Sequence, residues 1–389
     1  MKIVVVGGKL QGTEAAYLAR RAGWPVVLID KKPDVPARGL ADEFYCLDLP
    51  GEAADLRSIL RKAELIIPAL EDAGALDLLK EAADKEGIPI AYDGSSYRIA
   101  SSKKSSDRLF ADLGIPAPRP GTSGPLPLLA KPSDLSGSRG VRKIPSQKEL
   151  DSFLAAGGLE AEDWVIQEYL EGPSYSLEVF GLGGEYVSLQ TTVIEVDPLY
   201  DCKRVLAPAD ISTDLKSEFG RIGRKIAGAL GLKGVMDVEV ILHQGLLKVL
   251  EIDARLPSQT PTAVFKSTGV NMVELLGDVF VRNSLREPPS GPREKAVIYE
   301  HIRVSPEAIE VLGEHIMAAA APLQIHEGFF GADEAITDFG REKSNWVATL
   351  IFVENGRREV QAKRDATIKS LKKHLGIDVF KDSGPGENS

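Results

Sequence analysis

At 389 residues, with 47 basic against 57 acidic side chains and a net charge of −10, the chain is long enough for two or three cores. That balance argues against an electrostatic nucleic-acid binder, which presents a basic surface to phosphates, although an isolated basic cleft for a nucleotide stays compatible with it. The two cysteines, Cys46 and Cys202, share no CxxC spacing, which speaks against a disulfide framework or thiolate metal site and reads as buried free thiols.

Met1 leads into the apolar run Ile3 to Val6, which glycines close at the length of a strand and not of a signal peptide. No apolar run approaches the roughly 20 residues of a membrane span, so the expected location is the cytoplasm. Short apolar runs then alternate with helical patterns: Glu14 to Ala22, Val26 to Asp30, Leu65 to Leu70, Leu76 to Lys85 and Ile88 to Tyr92. This is the rhythm of a doubly wound parallel sheet with crossover helices. A helical stretch Lys103 to Leu113 follows, and Gly114 to Pro127 is crowded with residues that break regular structure, so a second unit begins near Leu128. Alternation between Trp164 and Val196, broken by Gly181, Gly183 and Gly184, predicts antiparallel strands. Val235 to Leu242 and Leu246 to Ile252 flank His243-Gln244-Gly245 and read as a hairpin. Asp382 to Ser389 lacks apolar anchors and reads as a frayed tail.

The loop Gly7-Gly8-Lys9-Leu10-Gln11-Gly12 opens a helix, and Asp30 ends the next strand, as in a dinucleotide fingerprint. The spacing is GGxxxG, however, so a side chain at Lys9 or Leu10 would crowd a pyrophosphate. The helix N-terminus can still receive a carboxylate, or the loop is simply a structural turn.

Leu128 to Val141 reads LLAKPSDLSGSRGV, a strand ending in Lys131-Pro132 and a serine- and glycine-rich loop. Such a loop can fold over polyphosphate while Lys131 neutralises oxygens; the bland alternative is a surface turn. Ile166 to Phe180 crosses a Gly-Pro turn between strands, where backbone near Glu168 and Leu170, and the side chain of Gln167 or Glu168, can read an adenine edge, unless it is an ordinary connection.

The sharpest signal is MDVEVIL against KVLEIDARLPSQTPT. Glu251 and Asp253 share one strand face, and Glu239 can lie opposite them. Three half-buried carboxylates repel unless cations neutralise them, and hard oxygen ligands suit magnesium. Arg255 follows in the same phase, placed to stabilise a phosphoryl group or a substrate carboxylate. The five histidines form no HExxH pair, and no GxSxG occurs.

Taken in order, the GG loop, the KP strand with its glycine-rich lid, the hinge strand and an E-x-[ND]-x-R signature resemble the ATP-grasp superfamily over roughly residues 1–303. Asp253 stands where that superfamily usually has Asn. GGKLQGTEAAYL, VVLIDKKP and ADEFYC are most similar to the ligase family of pyrrolysine biosynthesis, which joins the carboxylate of 3-methyl-D-ornithine to the ε-amine of L-lysine. The resemblance implies an α/β fold with an N-terminal doubly wound domain (1–98), a small α+β lid domain (99–172) and a C-terminal α+β catalytic domain (173–389). It also implies ATP, two magnesium ions and an acyl phosphate.

By position, the resemblance gives Lys104, Lys131, Ser138, Gln167, Glu168, Tyr169 and Leu170 to ATP, with Lys103 the alternative to Lys104. Glu239, Glu251 and Asp253 become the metal ligands, and Arg255 and Lys131 the catalytic cations. Ser176, Leu177, Glu178, Asp237, Arg255, Ser258, Gln259, Thr260 and Glu300 surround the ornithine-type substrate. Lysine is placed against Gln11, Gly12 and Asp72, with Glu71 as the alternative partner, because helix amides suit its α-carboxylate and an acid its α-ammonium. Expected partners are small amino-acid substrates, with a homodimer left open and neither nucleic acid nor membrane. The rival readings are another ATP-grasp ligase or carboxylase, which would keep the motifs and change the acceptor, and a non-catalytic nucleotide-binding module.

Overall fold

A computed structural model describes residues 1–135, 137–158, 164–287 and 294–385. The N-terminal sheet is parallel, in the order β3-β2-β1-β4, from β1 (Ile3–Val6), β2 (Val26–Asp30), β3 (Glu43–Cys46) and β4 (Leu65–Pro68). β1 and β4, and β2 up to Ile29, are buried on both faces, as runs of apolar, largely β-branched residues demand, whereas the edge strand β3 is partly exposed. Ile3 and Val5 pack with helix α1 (Leu10–Arg21), while Val4 and Val6 pack with α2 (Ala53–Leu60) and α3 (Ala73–Glu86). The expected strand at Ile88 to Tyr92 is reduced to one parallel bridge, Ile66 to Ile90. Helices α4 (Gly94–Ala100) and α5 (Lys103–Asp112) lead out, capped by Asp93 and Ser102.

A three-stranded sheet follows, β6-β5-β7, from β5 (Leu128–Pro132), β6 (Arg142–Ile144) and β7 (Trp164–Glu168), with α6 (Gln147–Phe153) against it. The remaining strands form a sheet of 12. Its first half runs β13-β12-β8-β10-β11-β14, from β8 (Ser174–Leu182), β9 (Glu185–Ser188), β10 (Thr192–Val196), β11 (Cys202–Ala207), β12 (Gly234–His243), β13 (Leu246–Asp253) and β14 (Ala296–Val304). Helices α7 (Thr213–Leu230), α8 (Thr260–Thr268) and α9 (Met272–Phe280) cover it. Beyond β14 come β15 (Ala308–Val311), α10 (His315–Ala318), β16 (Gln324–Glu327), β17 (Glu334–Thr337), β18 (Trp346–Glu354), α11 (Arg357–Leu375) and β19 (Val379–Lys381). No helix among the described residues is long and apolar enough to cross a membrane.

Two further expectations fail in this frame. The tail is anchored at its start: Asp382 accepts from Lys203 at 2.7 Å and from Arg364 at 3.0 Å, and also pairs with Arg204. Charge, not apolar surface, holds it, which a search for apolar anchors does not see; residues 386–389 lie outside the described residues. Cys46 is exposed, because β3 is the edge of its sheet, and Cys202 is only partly covered.

Candidate active site

The glycine loop is shaped by close approach. A Cβ on Gly7, which has φ +106°, would stand 2.2 Å from the Ala69 carbonyl oxygen, and one on Gly12 would stand 2.0 Å from that of Gly7. Asp30 closes the loop on itself, its Oδ2 accepting from the Gly8 N–H at 2.7 Å and its Oδ1 from Lys32 N–H at 2.9 Å. An acid so engaged is a loop brace, which removes the ribose ligand a dinucleotide site needs.

The β12–β13 hairpin carries the acids. Glu239 pairs directly with Glu251 and Asp237 with Asp253, and on the other side of β12 Asp237 pairs with Glu178 and Glu239 with Ser176. Residues in register share a face, so these acids converge. Burial pushes the carboxyls of Asp237 and Glu239 well above the ordinary range, with repulsion from Glu178 on the first and from Glu251 on the second. Burial raises Asp253 as well, against the pull of Arg255. Acids that resist ionisation in isolation are a fitting donor set for divalent cations, whose charge restores the carboxylate form.

Cations ring this face. Lys131 is 6% exposed, donates to the Leu250 carbonyl at 3.1 Å, and has its ammonium pKa pushed down by burial, with Glu251 pulling the other way. Lys103 donates to the Leu135 carbonyl at 2.6 Å and stands 3.8 Å from Glu251, whereas Lys104 is exposed. Arg255 donates from Nε to both Asp253 oxygens at 3.0 and 2.7 Å, from Nη1 to Gln11 Oε1 at 2.7 Å and from Nη2 to Glu71 Oε1 at 2.8 Å. The predicted lysine site and the acidic hairpin therefore meet at one guanidinium. Asp72 is the N-cap of α3, its Oδ1 accepting from Ala75 N–H at 2.8 Å.

Among the residues expected to hold nucleotide, Ser138 Oγ donates to the Tyr200 carbonyl at 2.6 Å. Gln167 and Glu168 are buried in β7. The Glu168 carboxylate accepts from Arg119 Nε at 2.9 Å and pairs with Lys248, so that despite burial it is held at about 2. Its carboxylate is thus committed to two cations.

A cluster of acids lies beside the hairpin. Glu178 is fully buried and has no ion-pair partner among the described residues; burial lifts it to about 7, with Thr260 beside it offsetting part of that. Ser176 donates to Asp237. Glu314 accepts from Ser258 Oγ at 2.7 Å and Gln259 Nε2 at 2.6 Å, and Glu14 accepts from the Thr262 N–H at 2.5 Å. Burial raises both of these acids to about 7. Leu177 faces the other way, into the core under α7.

Glu300 does not belong here. It is on β14 in phase with Ile298 and Ile302, which pack under α11, and its carboxylate is taken by Arg204 Nε at 2.6 Å and Arg364 Nε at 3.0 Å. The two-residue period of a strand puts it on the far face of the sheet. Glu14 and Glu314 are the acids sequence reasoning missed. Glu14 was hidden in an ordinary amphipathic helix, and Glu314 lies in a segment with no motif; the signal available for Glu14 was an acid flanked by the small apolar residues of GTEAAYL.

Residues 100–259 match the ATP-grasp domain family. The chain is 37% identical to the 3-methyl-D-ornithine--L-lysine ligase of Methanosarcina barkeri, over 96% of this chain and 98% of that one. The chain belongs to that family of ATP-grasp ligases. It is 36% identical to the ligase of the same name from Methanosarcina mazei, covering 96% of each. Among solved structures, biotin carboxylase from Campylobacter jejuni superposes with a TM-score of 0.73 at 15% identity, over 95% of this chain and 91% of that one. The L-amino acid ligase of Bacillus licheniformis superposes with a TM-score of 0.68 at 15% identity, over 98% and 99%. These two likenesses establish the fold. Membership of the family makes the chain an ATP-dependent ligase that works with ATP and magnesium.

Proposed function

We propose that the chain joins the carboxylate of 3-methyl-D-ornithine, or of D-ornithine, to the ε-amine of L-lysine through an acyl phosphate, as a cytoplasmic step of pyrrolysine biosynthesis. The observation that carries this reading is the acidic cluster: Glu14, Glu178, Asp237 and Glu314 lie close enough to repel one another, and Glu178 has no ion-pair partner among the described residues. A substrate with two ammonium groups supplies the charge that these acids lack. A substrate with one amine, such as alanine, would leave most of them uncompensated.

In this reading Glu239, Glu251 and Asp253 hold the magnesium ions, which when bound neutralise charge on the transferring γ-phosphoryl group. Lys104 and Lys131 hold phosphate oxygens, Ser138 seats the lid, and Gln167 to Leu170 hold adenine by their backbone. Lys103, aimed at Glu251, is the second candidate for the phosphates. Ser176, Glu178, Asp237, Ser258, Gln259 and Thr260 orient the activated amino acid, with Glu314 in the place first given to Glu300. Arg255 stabilises first the attacked phosphoryl group and then the oxyanion formed when the lysine amine attacks. Gln11, Gly12 and Asp72 or Glu71 hold lysine, and the division into units 1–98, 99–172 and 173–389 is part of the same proposal.

The test is to incubate the protein with ATP, magnesium, D-ornithine and lysine and weigh the products. The expected product is one amide through the ε-amine, with stoichiometric ADP and phosphate. Formation of AMP and pyrophosphate, or an α-linked amide, would overturn the mechanism or the acceptor assignment respectively.

A further inference from the structure

Between the glycine-rich loop and the acidic cluster lies the turn 197–201, which joins β10 to β11 and which no step above uses. Asp197 is 1% exposed; its Oδ1 accepts from Leu199 N–H at 2.7 Å and Asp201 N–H at 3.1 Å, and its Oδ2 from Gly313 N–H at 3.0 Å. Asp201 Oδ2 accepts from the His315 N–H at 2.9 Å and lies 2.6 Å from His315 Nδ1. The side chains of Asp197, Asp201 and His315 gather within 4.8 Å, a spacing that could suit an ion. Both Asp197 oxygens and Asp201 Oδ2 are engaged by backbone amides and the imidazole, so the contacts the cluster makes fasten one loop to another. The fit is close: a Cβ on Gly313 would stand 2.3 Å from Asp201 Oδ2.

Both ends of this fastening reach the reaction. At one end Tyr200, held at φ +64°, turns its carbonyl to Ser138 Oγ in the lid, and its ring meets that of Tyr169 at the hinge, centroids 6.4 Å apart. Lys143 of β6 sits over the same Tyr169 ring at 4.0 Å. At the other end Glu314 is the residue between the two that the turn grips, Gly313 and His315, and it orients Ser258 and Gln259. Gln259 is itself held at φ +77°.

We propose that the pair Asp201 and His315 is a positioning device that couples the seating of the glycine-rich lid on nucleotide to the seating of an amine on Glu314. It rests on the reading of Glu314 as an amine partner of the activated amino acid. When the turn is fastened, a nucleotide that holds Ser138 in its contact with Tyr200 also fixes the backbone on both sides of Glu314. By linkage, an amine that fixes Glu314 must in turn favour the seated lid, by the same factor. His315 touches neither ligand, so it acts on position and not on the reacting atoms.

The experiment is calorimetric titration of the full chain with magnesium-ADP, with and without saturating D-ornithine, in the wild type, His315→Ala and His315→Asn. Asn can still donate to Asp201 from the place of Nδ1, whereas Ala cannot. In the wild type D-ornithine should tighten ADP about five-fold or more, the low end of usual couplings. In His315→Ala that factor should fall to within about two-fold, and in His315→Asn most of it should return. A factor unchanged in His315→Ala overturns the proposal, as does its absence in a wild type that binds D-ornithine. Limited trypsin cleavage after Arg139, in magnesium-ADP without any amine, reads the lid alone: it should quicken in His315→Ala and slow again in His315→Asn. Should D-ornithine not bind the wild type, the substrate assignment fails by itself. Tryptic cleavage then decides the lid attachment, and equal rates overturn it.

Discussion

Two groups of buried acids sit on opposite faces of the same sheet, and only one of them is balanced. On the α11 face, Glu300 is paired by Arg204 and Arg364, and Asp382 by Lys203, Arg204 and Arg364. Burial works to raise Asp382, yet these cations hold it at about 2. On the hairpin face, Glu178, Asp237 and Glu239 are pushed upward by burial and by one another. Burying an ion is tolerable when its partner is buried with it. The balanced group is therefore a structural anchor for the C-terminal segment, and the unbalanced group marks where charge must arrive from outside.

The largest effect should come from the unbalanced face. Glu251→Gln removes a charge from a proposed magnesium bridge with little change of volume, at a side chain that is 45% exposed. Metal stabilisation of a phosphoryl transfer is worth several kcal/mol, so ligation should fall by roughly a thousand-fold or more while urea unfolding stays cooperative. Near wild-type turnover at limiting magnesium would remove Glu251 from the metal set.

The balanced face should respond in the opposite way. Arg204→Met leaves Glu300 with one guanidinium and frees Glu195 and part of Asp382, and breaking a buried pair on one side costs about 3 to 5 kcal/mol. Stability in urea should drop by that order, while the KM for ATP in the folded protein changes little. A large loss of nucleotide affinity without loss of stability would make this network part of the active site.

A third effect separates the two groups by pH. Burial raises Glu14 from its ordinary 4.5 to about 7, so in this window the folded protein holds a proton that the unfolded chain has released. Stability must then fall as pH climbs from about 4.5 to 7 and level off above, by up to about 3 kcal/mol for a shift of this size. Glu178 and Glu314 add to the same slope. Glu14→Gln keeps an oxygen for the Thr262 N–H and loses the titration, so its ligand-free stability should decline less than that of the wild type between pH 5 and 7.5. Equal slopes would mean that Glu14 is solvated.

The same contrast explains what the sequence made legible. The E-x-D-x-R phase on β13 and its partner Glu239 could be read because a strand's two-residue period fixes the face without any knowledge of what packs there. Glu300 has an equally acidic side chain on an equally apolar strand, and it was misplaced because its cations, Arg204 and Arg364, are 96 and 64 residues away. Pairing across such distances is a property of topology, not of local pattern. The anchored start of the tail was missed for the same reason. Glu14 and Glu314 come from a helix and a loop that only the folded chain brings beside Thr262 and Ser258.

The smallest effect concerns the acceptor, where the sequence left Asp72 and Glu71 as alternatives. The structure shows them in different employment: Asp72 caps α3 through one oxygen, while Glu71 takes a hydrogen bond from Arg255 at 2.8 Å and stands 3.8 Å from Arg139 of the lid. An acid that binds the lysine α-ammonium need not give up a cap made by its other oxygen, whereas Glu71 would have to share its carboxylate with a guanidinium. Asp72→Asn should therefore raise the KM for lysine by roughly ten-fold to a hundred-fold, the worth of one charge-assisted contact at about 1.5 to 3 kcal/mol, and leave that for ATP nearly unchanged. Asn retains the cap, so the fold should lose at most a few tenths of a kcal/mol. Glu71→Gln should instead lower kcat, since it loosens Arg255 more than it loosens lysine. If Glu71→Gln alone raises the lysine KM, the two acids exchange roles. If neither variant moves it, the acceptor binds away from this corner of the cleft.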